Sequence, residues 1–229
     1  MTSEERRKQF RSRMENARGF LFDLDNTLYG SEKGVFDRIN DRINVFVIEL
    51  TGKPRGEAEI LRKDYIDRYG TTLRGLMTHH DVKPDQFLED VHDVPIDGLL
   101  QQDPGLRNML ESILLPKVVF TNATVDHAVR VLDALGVSGC FEDICDLEST
   151  GYFGKPYPES YTIAASMVRS EVERTVLVDD LEVNVRGAIQ CGMSAIKVGG
   201  AAPGSVDLAV DRVHDLEQAF QGLPWFRPA

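Results

Sequence analysis

Four short apolar runs constrain this chain more than any other feature: "GFLF" before Asp23, "KVVF" before Thr121, "TVLV" before Asp179 and "AIKV" before Gly199. Residues that are apolar at consecutive positions need burial on both sides. A strand of a parallel sheet covered by helices provides this. The segments between the runs read as helices. "TVDHAVRVLDAL" predicts a helix over 124–135 with Val125, Ala128, Val129, Leu132 and Leu135 at helical spacing and Gly136 as its stop. Further helices are predicted over 158–168, opened by Pro158, and over 182–191, closed before Gly192. Strand and helix alternate from about residue 117 onwards. The expectation is an α/β protein with a doubly wound, mainly parallel, Rossmann-like sheet, whose sites lie at the carboxyl ends of the strands.

Residues 35–94 break this rhythm. "VFDRINDRINVFVIEL", "PRGEAEILRKDYIDRYG", "TLRGLMTHH" and "PDQFLEDVHDV" suggest helices separated by Gly and Pro, with no strand run. They predict a helical domain over 30–102, inserted after the first strand of a core formed by 1–29 and 103–229.

The formal net charge of −11 argues against a nucleic-acid polymer or a polybasic membrane contact as partner. It would also oppose an anionic substrate unless local basic groups or a metal overcome it. "MTSEERRKQFRSRMENARG" is charged throughout, lacks the apolar stretch of a secretory signal, and carries Glu4, Glu5 and Glu15, which a transit peptide avoids. No run approaches the length of a membrane span. A cytoplasmic protein is the expectation. Cys140, Cys145 and Cys191 show neither paired spacing nor a neighbouring histidine group, so they read as small buried hydrophobes rather than a zinc site.

On the assumed topology four segments converge at one sheet edge: Asp23 and Asp25, then Thr121 and Asn122, then Lys155 in "GKPYPES", then Asp179 and Asp180 in "LVDDLEVN". Residues two apart on a strand point to the same side, so Asp23 and Asp25 can share a site. Up to four carboxylates with one lysine repel one another unless a hard cation sits among them. Magnesium suits such a set better than calcium or zinc, with a substrate phosphate oxygen and waters completing an octahedron. Lys155 and the Thr121 hydroxyl would form the anion-binding side. An aspartate near its ordinary pKa is already ionised at neutral pH, so Asp23 can attack phosphorus without activation. Asp25, crowded by like charge, would have a raised pKa, protonate the leaving alkoxide, and then take a proton from water.

With these residues in place the chain resembles the haloacid dehalogenase superfamily of phosphotransferases: "FDLDNTLY" is similar to its first motif, "VFTNA" to the second, "GKPYPES" to the third and "LVDDLEVN" to the fourth. The resemblance implies Asp23 as nucleophile, Asp25 as acid/base, Thr121 and Asn122 as phosphate-binding residues, and Lys155 steadying phosphate and nucleophile. It further implies that Asp180, with Asp179, holds magnesium alongside Asp23 and the backbone carbonyl of Asp25. Asn184 stands where some relatives carry another acid. The helical insert resembles the family's four-helix cap, which closes over the site. Retention of Asp25 favours phosphatase over dehalogenase chemistry. "DNTLYGSEKGVFDRIN", "DPGLRNML" and "VVFTNATVDHAVRVLDALGV" look most like the pyrimidine 5'-nucleotidase branch, which implies a nucleoside monophosphate as the small phosphorylated substrate. Phosphoglycolate, sugar phosphates and vitamin-precursor phosphates stay open.

A phosphoaspartate receiver module of a signalling pathway gathers similar groups, but it places its acidic pair first, whereas here "DLD" opens and "DD" comes late. A cap-bearing relative serving as an interaction protein would not need every one of these positions filled by a chemically competent residue. His79 and His80 read as a solvated helix end, "GGAAPG" from Gly199 as a turn, and Trp225 as a packing anchor. Tyr29 and Phe36 are candidates to stack on a base.

Overall fold

The computed structural model describes residues 3–200, 206 and 208–228. Helix α1 (Ser3–Glu15) leads into β1 (Gly19–Phe22). Four helices follow before the next strand: α2 (Val35–Thr51), α3 (Arg55–Tyr69), α4 (Thr72–His80) and α5 (Pro84–His92). Next come α6 (Pro104–Ser112), β2 (Lys117–Phe120), α7 (Val125–Leu135), β3 (Asp143–Cys145) and α8 (Pro158–Met167). The chain continues through β4 (Thr175–Asp179), α9 (Glu182–Gln190), β5 (Ser194–Val198), β6 (Leu208–Val210) and α10 (Leu216–Ala219).

The six strands form one sheet in the order β3-β2-β1-β4-β5-β6, with every pairing parallel. The four apolar runs are β1, β2, β4 and β5. Alternate side chains of β1 serve opposite faces: Phe20 and Phe22 join a core containing residues of α6, α7 and the C-terminal segment, while Leu21 joins a second core with α8 and α9. This two-sided burial accounts for the consecutive apolar residues 20–22, 118–120 and 176–178 of β1, β2 and β4. β3 and β6 were not legible as strands, because each is a three-residue edge strand, partly solvated, and shows no continuous apolar signal.

The first core ties the chain ends together. Trp225 is buried, its ring centroid 5.0 Å from that of Phe20 and also 5.0 Å from that of Phe220, and its Nε1 donates to the Met14 carbonyl at 2.7 Å. Helices α2–α5 bury a cluster of their own that includes Val47, Ala58, Tyr65, Leu76, Phe87 and Val91. Leu147, from the loop after β3, joins that cluster, and Tyr152 of the same loop packs against it. Gly199 and Gly200 bend the chain after β5, whereas residues 201–204 of the expected turn lie outside the described residues. No helix among the described residues is long and apolar enough to cross a membrane.

Helix α7 corrects the expected helical face. Val125 and Val129 are 44% and 43% exposed, and the buried stripe is His127, Ala128, Val131, Leu132 and Leu135. Thr124 caps the helix, its hydroxyl accepting from the His127 amide at 3.2 Å.

Candidate active site

Strand register brings the polar ends together. Phe22 lies beside Val119 of β2 and Val178 of β4, and the Asp23 amide extends the ladder by donating to the Val178 carbonyl at 2.9 Å. Asp23, Thr121, Asp179 and Asp180 therefore emerge at one level of the sheet, where the strand order turns from β2 on one side of β1 to β4 on the other. Such a switch point opens a crevice.

Lys155 enters from the loop between β3 and α8. Its backbone is held by the Asn122 side chain, which donates to the Lys155 carbonyl at 2.9 Å and accepts from the Lys155 amide at 2.7 Å. Gly154 permits that approach: its φ is positive, and a Cβ there would lie 2.5 Å from Leu147 and 2.6 Å from the Asn122 carbonyl oxygen. The ammonium is 1% exposed and donates at 2.7 Å to Asp23 Oδ1, Asp179 Oδ2 and the Phe120 carbonyl. Asp179 is filled from other sides too. Leu181 N donates to its Oδ1 at 2.8 Å, and Asn184 Nδ2 reaches both oxygens, at 3.0 and 3.1 Å.

Asp23, Asp179 and Asp180 each bring an oxygen within 4.8 Å of the others, a group that can hold a metal ion. Burial pushes the Asp23 carboxyl well up from its ordinary value; Lys155 opposes the push, and Asp179 and Asp180 add to it. Burial and Asp179 likewise raise Asp180 to about 6. An all-oxygen donor set in which three carboxylates share one ammonium fits a hard divalent cation, which would relieve both pushes.

Asp25 departs from expectation. Burial alone would raise its pKa, but His127, Tyr29 and His92 outweigh burial and hold it below the ordinary carboxylate value. His127 Nε2 lies 2.9 Å from Asp25 Oδ1, and the Tyr29 hydroxyl donates to the same oxygen. Tyr29 is buried, so it is not a stacking surface. The sequence reading missed His127. The available signal was a histidine four residues before Val131 on the inward stripe of the helix that follows Thr121.

His92 ends α5 and packs its ring 5.1 Å from that of His127, with Nδ1 2.9 Å from the Leu88 carbonyl. Burial, reinforced by His127, lowers its pKa from 6.5 to about 4. The unfolded chain then binds more protons than the folded one between these values. The His92 contribution to stability is whole above pH 6.5 and is lost as pH falls towards 4, by about 3 kcal/mol in all. We expect His92→Gln to flatten the acid limb of a stability-pH curve measured by urea denaturation; an unchanged limb would refute the assignment.

Above the carboxylates lies a cleft of about 240 Å³, walled on the helical side by Phe36, Ile39, Ile43, Phe87 and Leu88 together with Arg62. Arg62 donates to Asn40 and Asn44, and its Nε has no partner among the described residues. A larger cleft of about 870 Å³ between α5 and α7 backs onto His92 and His127 but includes none of the four site aspartates. His79 and His80 pair with Tyr69 and Tyr65 and join no carboxylate group among the described residues. The three cysteines are free thiols.

Comparison with known proteins places this geometry. Phosphate metabolism protein 8 of Saccharomyces cerevisiae is 28% identical over 194 residues, a match spanning 77% of this chain and 60% of that protein. Validoxylamine A 7'-phosphate phosphatase of Streptomyces hygroscopicus subsp. limoneus is 26% identical over 186 residues, 77% of this chain and 83% of the relative. The crystal structure of a HAD phosphatase from Thermococcus onnurineus shares the fold, with a TM-score of 0.59 at 19% identity over 90% of this chain and 98% of that one. Residues 17–192 match the family of haloacid dehalogenase-like hydrolases. That span holds β1 to β4 and all the convergent side chains, and on it the chain belongs to the haloacid dehalogenase-like hydrolase family.

Proposed function

We propose that this protein is a magnesium-dependent phosphomonoester hydrolase that acts through a phosphoaspartate on a small phosphorylated metabolite, with nucleoside monophosphates as the favoured class. The observation that carries the reading is Lys155, buried and bridging Asp23 and Asp179 beside a cluster of acidic oxygens. It orients one Asp23 oxygen and leaves the other to attack. Thr121 and Asn122 border the phosphate position, Asn122 with its side chain fastened to the Lys155 backbone. Asp25 donates a proton to the departing oxygen and later takes one from water.

Asp23, Asp180 and the Asp25 backbone carbonyl would hold magnesium, with Asp179 behind them because its oxygens are already engaged by Lys155, Leu181 and Asn184. When bound, the ion supplies the positive charge that lets a phosphate dianion approach a carboxylate. Residues 30–102 form the cap, whose closure would exclude water from the transfer.

The nucleotide reading is supported by the apolar wall of Phe36, Ile39, Ile43 and Phe87, suited to a flat base, and by Arg62 as a donor on that wall. A small non-nucleotide phosphate is the second reading, supported by the name of the Streptomyces relative, a validoxylamine A 7'-phosphate phosphatase, and by the small cleft.

The test is phosphate release from UMP, CMP, dTMP, AMP, phosphoglycolate and sugar phosphates, with and without magnesium. We expect activity that a chelator abolishes and magnesium restores, highest on pyrimidine nucleotides. Preference for another ester would replace the substrate class; no release from any of them would overturn the enzyme reading.

A further inference from the structure

We propose that His127 and Tyr29 are positioning residues for Asp25, and that by donating to Oδ1 together they assign the transferable proton to Oδ2. The proposal rests on the phosphohydrolase reading above. Its geometry is independent of any ligand.

Two donors from separate elements converge on one oxygen. Tyr29 sits in the turn after β1 and is 6% exposed; His127 projects from α7 and is fully buried. Tyr29 Oη and His127 Nε2 both contact Asp25 Oδ1, the latter at 2.9 Å. A carboxylate oxygen has two lone pairs in the carboxyl plane, and these two bonds use both. A proton on Asp25 must therefore sit on Oδ2. The arrangement also opposes rotation of the carboxyl group, because turning it would break both bonds in a buried site.

The His127 tautomer follows from the same accounting. Nδ1 is buried without a partner among the described residues. An unpaired N–H there would cost roughly 1–3 kcal/mol, so the proton belongs on Nε2, where Asp25 accepts it.

The chemical consequence is specific. In the first half-reaction the bond from Asp23 to phosphorus forms, the ester oxygen–phosphorus bond breaks, and the Oδ2 proton passes to the departing oxygen. In the second, water attacks phosphorus and gives a proton to Oδ2, and the Asp23–phosphorus bond breaks with its electron pair returning to the carboxylate. An alkoxide needs the first proton, whereas p-nitrophenolate leaves without it. Misplacing Oδ2 therefore slows both halves for an alkyl phosphate but only the second for p-nitrophenyl phosphate.

The experiment compares wild type, Tyr29→Phe, His127→Leu and His127→Gln on p-nitrophenyl phosphate and on the fastest alkyl phosphate of the panel. For Tyr29→Phe and His127→Leu we expect kcat on the alkyl ester to fall on the order of 10- to 100-fold. On p-nitrophenyl phosphate they should release a rapid burst of one p-nitrophenolate per enzyme, followed by slow turnover. His127→Gln, which keeps a donor near Nε2, should recover most of the loss. Equal loss of burst rate and alkyl turnover would show a merely structural role and overturn the proposal, as would unchanged kcat in Tyr29→Phe. Should His127→Leu not fold, Tyr29→Phe decides alone, since it removes one oxygen from a buried ring. A wild-type enzyme inactive on all esters would instead defeat the underlying functional reading.

Discussion

Asp23→Asn is expected to eliminate turnover, with residual phosphate release below about one part in a thousand of wild type. The substitution is isosteric and replaces the attacking oxygen by an amide, which is not a nucleophile toward phosphorus. Folding should survive it. Asp23 is buried among Asp179 and Asp180, and burial with like charge already works against its ionised form, so a neutral side chain relieves strain at that point. The Lys155 ammonium keeps Asp179 and the Phe120 carbonyl as partners. Phosphate release and a thermal melt, measured with and without magnesium, check this together. We expect a melting temperature close to wild type with a smaller magnesium-induced rise. Turnover near the wild-type level would remove the phosphoaspartate mechanism; loss of folding would show that the Asp23–Lys155 pair, not nucleophilicity, dominates at this position.

Lys155→Met should damage both activity and stability. The wild-type ammonium is 1% exposed with three acceptors at 2.7 Å, and the Asp23 and Asp179 carboxylates overcome the lowering effect of burial to raise its pKa. Removing it leaves two buried carboxylates facing each other. Deleting one partner of a buried ion pair typically costs about 3–5 kcal/mol. At roughly 2–4 °C per kcal/mol for a chain of this size, the melting temperature should drop on the order of 10 °C. Magnesium should restore more of that loss than it adds to wild type, because the ion then supplies the missing positive charge. A variant as stable as wild type in chelator would mean that the carboxylates are protonated or solvated there, against the packing seen at Asp179.

The sheet core was legible in the sequence, and so was the grouping of Asp23, Lys155 and Asp179 at the strand ends, for one physical reason. A strand buried on both faces must be apolar at consecutive positions, and the polar residue that ends it must lie at the sheet edge. Asp23, Thr121 and Asp179 announce themselves by interrupting such runs. The helices α2–α5 were legible because Gly and Pro punctuate that stretch. Short partly solvated edge strands carry neither signal, so β3 and β6 became visible only once β2 and β5 were in place to pair with them.

What tertiary structure alone decided is the environment of Asp25. Charge counting around Asp25 predicts a raised pKa, yet His127 lies 102 residues away in sequence and meets it only because α7 packs over the sheet with that face inward. The expected and observed faces of α7 share Ala128, Leu132 and Leu135, and packing against the core turned Val131 and His127 inward in place of Val125 and Val129. The order of apolar runs along the chain determined which carboxylates share a site; long-range packing determined which donors surround Asp25.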